Sequence, residues 1–199
     1  MDPGARSGYH AAMRLLATST LSVVAAALVT SPAAADPQGN VGLTIGAAGV
    51  AQRPQWWTET RMHLGLRGDM LFGRQRNAGA GVGPYAEAMT AFDDVQAGGG
   101  VSVLVPVHPY LPLVLSGGGY GRHTGAFGWE PGAAAELFWG SRSYNPDSWY
   151  VMAGGLQLQL RQGLGDSKER SLIIAAHLDG EVLMLPFLLV YGWVRGPSD

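Results

Sequence analysis

Two histidines and two serines are the residues of this sequence best suited to hydrolysis. His63 and His177 lie in alternating stretches that also carry carboxylates, and Ser102 and Ser116 lie in two further stretches. A histidine oriented by a carboxylate can activate a serine hydroxyl for attack on an ester. Neither serine lies in a nucleophile motif, and the histidines lack the clustered spacing of zinc sites. We therefore expect no catalysis, no metal and no cofactor, with a lipid hydrolase as the minor alternative.

The elements that would position these residues alternate in polarity, most clearly between residues 57 and 72. One set of alternate positions is charged, polar or glycine: Glu59, Arg61, His63, Gly65, Arg67 and Asp69. The intervening set is mainly apolar: Thr60, Met62, Leu64, Leu66, Met70 and Phe72. Successive side chains of a β-strand point to opposite faces, so this pattern predicts a strand with one polar and one apolar face.

Turn-forming residues separate about eight stretches of this kind. The predicted strands are 41–51, 57–72, 81–92, 95–107, 111–122, 129–142, 149–162 and a last one that follows the 163–170 turn and ends near Leu185. No convincing amphipathic helix separates them, which favours an all-β fold, a single antiparallel up-and-down β-barrel. We predict a short C-terminal helix over Pro186–Val194, because proline suits the first turn of a helix. Extension of the eighth strand is the alternative.

The N-terminal region has the features of a secretory signal peptide. Arg14 precedes an apolar run over residues 15–29, and three alanines ending at Ala35 precede Asp36. This pattern predicts cleavage after Ala35, and translation starting at Met13 would fit it better than a start at Met1. A membrane anchor is the alternative. The predicted organisation is an N-terminal extension and signal peptide (1–35), a barrel (36–185), and an apolar segment with a polar tail (186–199).

The composition indicates a shortage of water-facing surface. Charged residues make up 14% of the chain, it contains 30 glycines and no cysteine, and its formal net charge is −2. Ordinary soluble domains are about 25% charged. Without a basic excess we expect no nucleic-acid partner. Lys168 is the only lysine, so the remaining basic residues are arginines, which suit enclosed pairing with carboxylates.

We expect the polar strand faces to line the interior. Several of these faces are rich in glycine, alanine and serine, which suits a narrow lumen better than a wet exterior. Gly98, Gly100 and Gly118 would leave space for long side chains. The predicted polar network of the lumen comprises Glu59, Arg61, His63, Arg67, Asp69, Glu87, Glu136, Arg142, Arg161, His177 and Asp179. Aromatic residues at strand ends are predicted to lie at a membrane–water interface: Trp56, Trp57, Trp129, Trp149 and Tyr150.

With a cleavable signal, about eight two-faced strands and aromatic strand ends, the chain resembles the small eight-stranded outer-membrane β-barrels of Gram-negative bacteria. It departs from them in its short loops and in its ending, GWVRGPSD, which lacks a terminal aromatic residue. The resemblance implies a monomer in the outer membrane, with lipid as its partner and a structural role in the envelope. The alternative is a soluble periplasmic barrel that binds a small apolar ligand.

Overall fold

The computed structural model describes residues 37–52, 55, 57–142 and 154–195. The predicted signal peptide lies outside the described residues, as do Trp56, Trp149 and Tyr150. The remaining predicted residues of the lumen and the interface lie within them.

Eight strands and one helix follow one another along the chain. The strands are β1 (Gln38–Gln52), β2 (Glu59–Leu71), β3 (Gly81–Thr90), β4 (Asp94–Val105), β5 (Leu113–Thr124), β6 (Gly128–Ser141), β7 (Gly154–Gly163) and β8 (Glu169–Asp179), and the helix is α1 (Gly180–Arg195). Each strand pairs antiparallel with the next, and β8 pairs with β1 to close the sheet. The predicted all-β, eight-stranded up-and-down barrel is confirmed.

The largest difference from the predicted bounds lies at the end of the last strand. β8 ends at Asp179 rather than near Leu185, and α1 begins at Gly180 rather than at Pro186. From Val182 onwards apolar residues occupy successive positions, so a continued strand would place apolar side chains on its polar face. Pro186 consequently lies inside the helix instead of in its first turn. No helix in the described part of the chain is long and apolar enough to cross a membrane.

The two ends of the barrel differ in their connections. At one end, which we call the mouth, short segments over residues 91–93, 125–127 and 164–168 join the strands. At the other end, which we call the closed end, β1 begins, β8 ends and the longer segments 72–80 and 106–112 lie. Different connecting segments therefore border the lumen at its two ends.

Candidate functional site

The barrel wall is polar on the inside and apolar on the outside. Most of the predicted lumen residues are buried: His63, Arg67, Asp69, Glu87, Glu136, Arg142, Arg161, His177 and Asp179. Every strand contributes at least one exposed large apolar residue to the outer wall, for example Ile45, Leu66, Val82, Val103, Leu115, Leu137, Leu158 and Ile174. The predicted alternation thus corresponds to a charged lumen and an apolar exterior.

Arg67 lies at the centre of the lumen and is only 3% exposed. Its guanidinium donates to both carboxylate oxygens of Asp69, over 3.0 and 2.8 Å, and to Glu136 over 2.5 Å. The same group donates to the hydroxyls of Ser102 and Ser116, over 2.9 and 2.8 Å. Charge-assisted bonds of this kind are the strong ones in proteins, so Arg67 holds together groups from four different strands.

Arg161 forms a second centre, nearer to the mouth. It forms an ion pair with Glu87 and donates to the side-chain oxygen of Gln96 over 2.5 Å. The amide of Gln159 donates to Glu87 over 3.1 Å and to Glu136 over 3.3 Å. Because Glu136 also accepts from Arg67, Gln159 joins the two centres.

The chain of polar contacts continues from Gln96 to the mouth. Gln96 donates to Asp94 over 2.8 Å, and Asp94 accepts from Arg122 over 2.5 Å. Arg122 also pairs with Glu169 over 2.6 Å. The connected set therefore runs from Glu169 at the mouth to Ser116 deep in the barrel, and we call it the lumen network. It joins β2 to β8 through Arg67, Glu87, Gln96, Ser116, Glu136, Arg161 and Glu169.

Two aromatic rings support the arginines of the lumen network. The guanidinium carbon of Arg67 lies 4.1 Å from the ring centroid of Tyr85, and that of Arg161 lies 4.5 Å from the centroid of Tyr120. These stacked positions fix the planes of the guanidinium groups. Neither tyrosine was among the predicted lumen residues, although both lie on the polar faces of their strands.

Glu59 and Arg61, two of the predicted lumen residues, lie at the mouth. Arg61 pairs with Glu59 over 2.9 Å and with Asp93 over 2.7 Å. The Glu59 side chain is 59% exposed, so its predicted place in an enclosed lumen is wrong. It lies at the very start of β2, beyond the part of the wall that closes around the lumen. Arg61 and Asp93 line an open pocket of about 320 Å³, together with Arg122 and Glu169.

An apolar cluster fills the lumen at the closed end. Leu71, Leu104, Val114 and Phe138 are each buried to 2% exposure or less and contact one another. The rings of His177 and Phe138 pack edge to face, with 5.6 Å between their centroids. We call these four buried apolar residues the plug.

Further buried polar residues lie around the plug. The guanidinium carbon of Arg142 lies 4.7 Å from the centroid of the Phe138 ring. The amide of Asn40, on β1, donates to Asp179, at the end of β8. This hydrogen bond ties together the first and the last strand, where the barrel closes.

In the described part of the chain, the serines and His63 that were considered for hydrolysis have different hydrogen-bond partners. The hydroxyls of Ser102 and Ser116 both accept from Arg67 and lie 3.0 Å from one another. The Ser102 hydroxyl also donates to Asp69 over 2.8 Å. His63 lies 3.4 Å from the hydroxyl of Thr44. The serines thus serve the lumen network. Among the described residues, no group of three or more histidines and carboxylates is arranged to hold a metal ion.

Glycines of β4 and β5 allow close contact between neighbouring strands. A Cβ added at Gly100 would lie 2.1 Å from the carbonyl oxygen of Gly117, and one at Gly118 would lie 2.2 Å from that of Gly99. A Cβ at Gly98 would meet Tyr120 at 2.8 Å. Gly100 and Gly118 are therefore required by backbone contact, rather than by the long side chains that we expected beside them.

Two of the predicted interface aromatics are described, and both are exposed at the mouth end of the wall. Trp129 is 64% exposed and lies 5.4 Å from the ring of His123. Trp57 is 46% exposed, and its indole donates to Thr60 over 2.9 Å. Their positions at the start of β6 and just before β2 agree with the predicted placement at strand ends.

Comparisons with known proteins matched solved structures, all of those described below at low sequence identity. No family model and no curated protein matches the chain. The outer membrane protein Ail of Yersinia pestis in a phospholipid bilayer nanodisc is 12% identical, with a TM-score of 0.39 over 71% of this chain and 99% of that one. Ail in complex with the heparin analogue sucrose octasulfate is 13% identical, with a TM-score of 0.36 over 70% and 97%. At such low identity, what the chain does has to be inferred from its own residues.

Proposed function

We propose that this chain is an outer-membrane β-barrel protein with a filled polar lumen and a structural role in the cell envelope. The observation that carries the proposal is the inverted polarity of the wall, with paired charges inside and large apolar side chains outside on every strand. Soluble monomers rarely expose a contiguous apolar surface of this extent. A surrounding bilayer satisfies both faces, because hydrocarbon covers the outer wall and the charges remain enclosed.

The strand lengths fit a bilayer as well. The strands contain 10 to 15 residues. Ten residues at about 3.4 Å each, tilted by about 45°, cover about 24 Å, close to the apolar band of about 25 Å on such barrels. The longer strands would extend beyond this band into the headgroup region, where Trp57 and Trp129 would lie.

The filled lumen favours a structural role over transport. An eight-stranded barrel is just wide enough for side chains to fill it. Here the lumen network occupies the part towards the mouth, and the plug occupies the closed end. The alternative of a soluble periplasmic barrel with an apolar ligand is less well supported, because the inner wall is lined by paired charges.

The serines of the lumen network support a role without catalysis, because their hydroxyls are engaged with Arg67 and Asp69. We also propose that the barrel is a monomer with lipid as its partner. Closure of β8 onto β1 leaves no strand edge to which a second copy could add. This protein would therefore stabilise the envelope through its contact with outer-membrane lipid.

Cell fractionation with electrophoresis of unboiled and boiled samples tests the proposal. We expect the protein in the outer-membrane fraction, with a different mobility before and after boiling, because a closed barrel stays compact in detergent until it is heated. A periplasmic marker protein serves as the control for leakage between fractions. Recovery in the soluble periplasm without a heat-dependent change in mobility would overturn the proposal.

A further inference from the structure

The described side chains of helix α1 expose a wide apolar surface. Met184, Phe187, Leu189, Val190, Tyr191 and Trp193 are all more than half exposed, and Trp193 reaches 86%. Three of these residues are consecutive, and an α-helix turns by about 100° per residue. Exposure therefore extends around most of the helix, whereas a surface helix in water has a polar face.

The helix begins next to the first strand of the barrel. Gly180 follows β8 directly, and a Cβ added to it would lie 2.9 Å from the carbonyl oxygen of Val41 on β1. Val41 itself is 42% exposed on the outer wall. The start of α1 thus lies beside a strand whose outer face belongs to the surface that we have proposed to contact lipid.

The length and charge of α1 restrict how it can meet a membrane. Its 16 residues span about 24 Å at about 1.5 Å per residue, less than the hydrocarbon core of about 30 Å. Arg195 lies in the last turn, with its guanidinium carbon 5.5 Å from the centroid of the Tyr191 ring. A long cationic side chain at a helix end can reach the phosphates of lipid headgroups while its stem stays in apolar surroundings.

We propose that α1 is immersed in the acyl chains of the membrane leaflet at the closed end, with Arg195 directed to the headgroups. This inference rests on the proposed function, because it takes the outer wall to be in lipid. The helix acts as a side anchor that extends the lipid contact of the barrel beyond the wall. The proposed partner is phospholipid. Its acyl chains would contact the apolar side chains of the helix, and its phosphate groups would contact Arg195.

Single cysteines can report on the surroundings of α1, since the chain contains none of its own. Three variants would each carry a fluorophore on one cysteine: Val190→Cys on the helix, Leu115→Cys on the outer wall and Gly125→Cys in a turn at the mouth. Leu115 is 44% exposed, and a Cβ at Gly125 meets nothing within 4 Å. Each labelled protein is refolded into phosphatidylcholine vesicles whose acyl chains carry a nitroxide quencher, and iodide serves as the quencher in water.

We expect the nitroxide to quench the labels at Val190 and Leu115 to a similar degree, and iodide to quench only the label at Gly125. A label at Val190 that iodide reaches, with Leu115 still quenched by nitroxide, would overturn the inference and leave the barrel in the membrane. A label at Val190 shielded from both quenchers would also overturn it, since the helix would then be packed on protein, such as a second copy. Loss of nitroxide quenching at all positions would instead overturn the proposed function.

Discussion

Replacing Arg67 with methionine should destabilise the barrel severely. The substitution keeps an unbranched side chain in the lumen but removes the guanidinium that donates to Asp69, Glu136, Ser102 and Ser116. Both carboxylates are buried, with side chains 0% and 2% exposed. They would be left close together without the cation between them.

The expected loss in free energy of unfolding follows from the burial of these charges. Removing one partner of a buried ion pair typically costs about 3–5 kcal/mol, mainly because the remaining charge cannot be hydrated. Two carboxylates lose their shared partner here, so we expect Arg67→Met to fall at the upper part of this range. Arg61→Met at the mouth provides the matched control. Arg61 also pairs with two carboxylates, but both are more than half exposed, and pairs of this kind contribute about 0.2–1 kcal/mol.

Unfolding by urea in phospholipid vesicles, followed by tryptophan fluorescence, measures both variants. Gel mobility of unboiled samples shows first whether each variant closes into a barrel. Adding Asp69→Asn to Arg67→Met should restore part of the lost free energy of unfolding, because one of the uncompensated charges disappears. If Arg67→Met destabilises the barrel no more than Arg61→Met does, the enclosed network cannot have the stabilising role assigned to it.

Two further predictions each compare a substitution with a control at a position that has different surroundings. Gly118→Ala should lower the free energy of unfolding by about 1–3 kcal/mol, because its Cβ would lie 2.2 Å from the carbonyl oxygen of Gly99. Gly117→Ala is the control and should change this free energy little, since its Cβ has its nearest neighbour at 4.0 Å. Equal effects of the two substitutions in urea unfolding would contradict the close strand contact. Leu66→Arg, in the middle of β2 on the outer wall, should lower the free energy of unfolding in vesicles by about 2–4 kcal/mol if that wall is in lipid. Val107→Arg, beyond the end of β4, is the control. If Leu66→Arg does not change the free energy of unfolding, water covers the wall.

The lumen network explains how so many charges can be enclosed in a narrow barrel. Each arginine of the network contacts at least one carboxylate, and glutamine side chains connect the arginine centres. The partners lie on successive strands. The network therefore connects strands on opposite sides of the lumen as well as neighbouring strands. Such a lumen resists deformation of the barrel, which agrees with the structural role proposed here.

The alternation of residue types alone was sufficient to predict the strands and their faces. Period two is a local property of an extended chain, so Arg67 and Asp69 had to share one face and Leu66 and Met70 the other. The turn-forming residues between the stretches indicated their number, and the low content of charged residues indicated which face is enclosed. The sequence also predicted a C-terminal helix, since the apolar run around Pro186 does not alternate.

The pairing of the charges was decided only by tertiary structure. Arg67 and Glu136 are 69 positions apart, and their contact depends on the closure and register of the whole barrel, which no local pattern encodes. The same holds for Glu59, which shares the polar face of β2 but lies outside the enclosed part of the lumen. Strand contact likewise determined why Gly100 and Gly118 must lack side chains. Local periodicity determines the direction in which a side chain points, whereas the packed barrel determines which other groups it meets there.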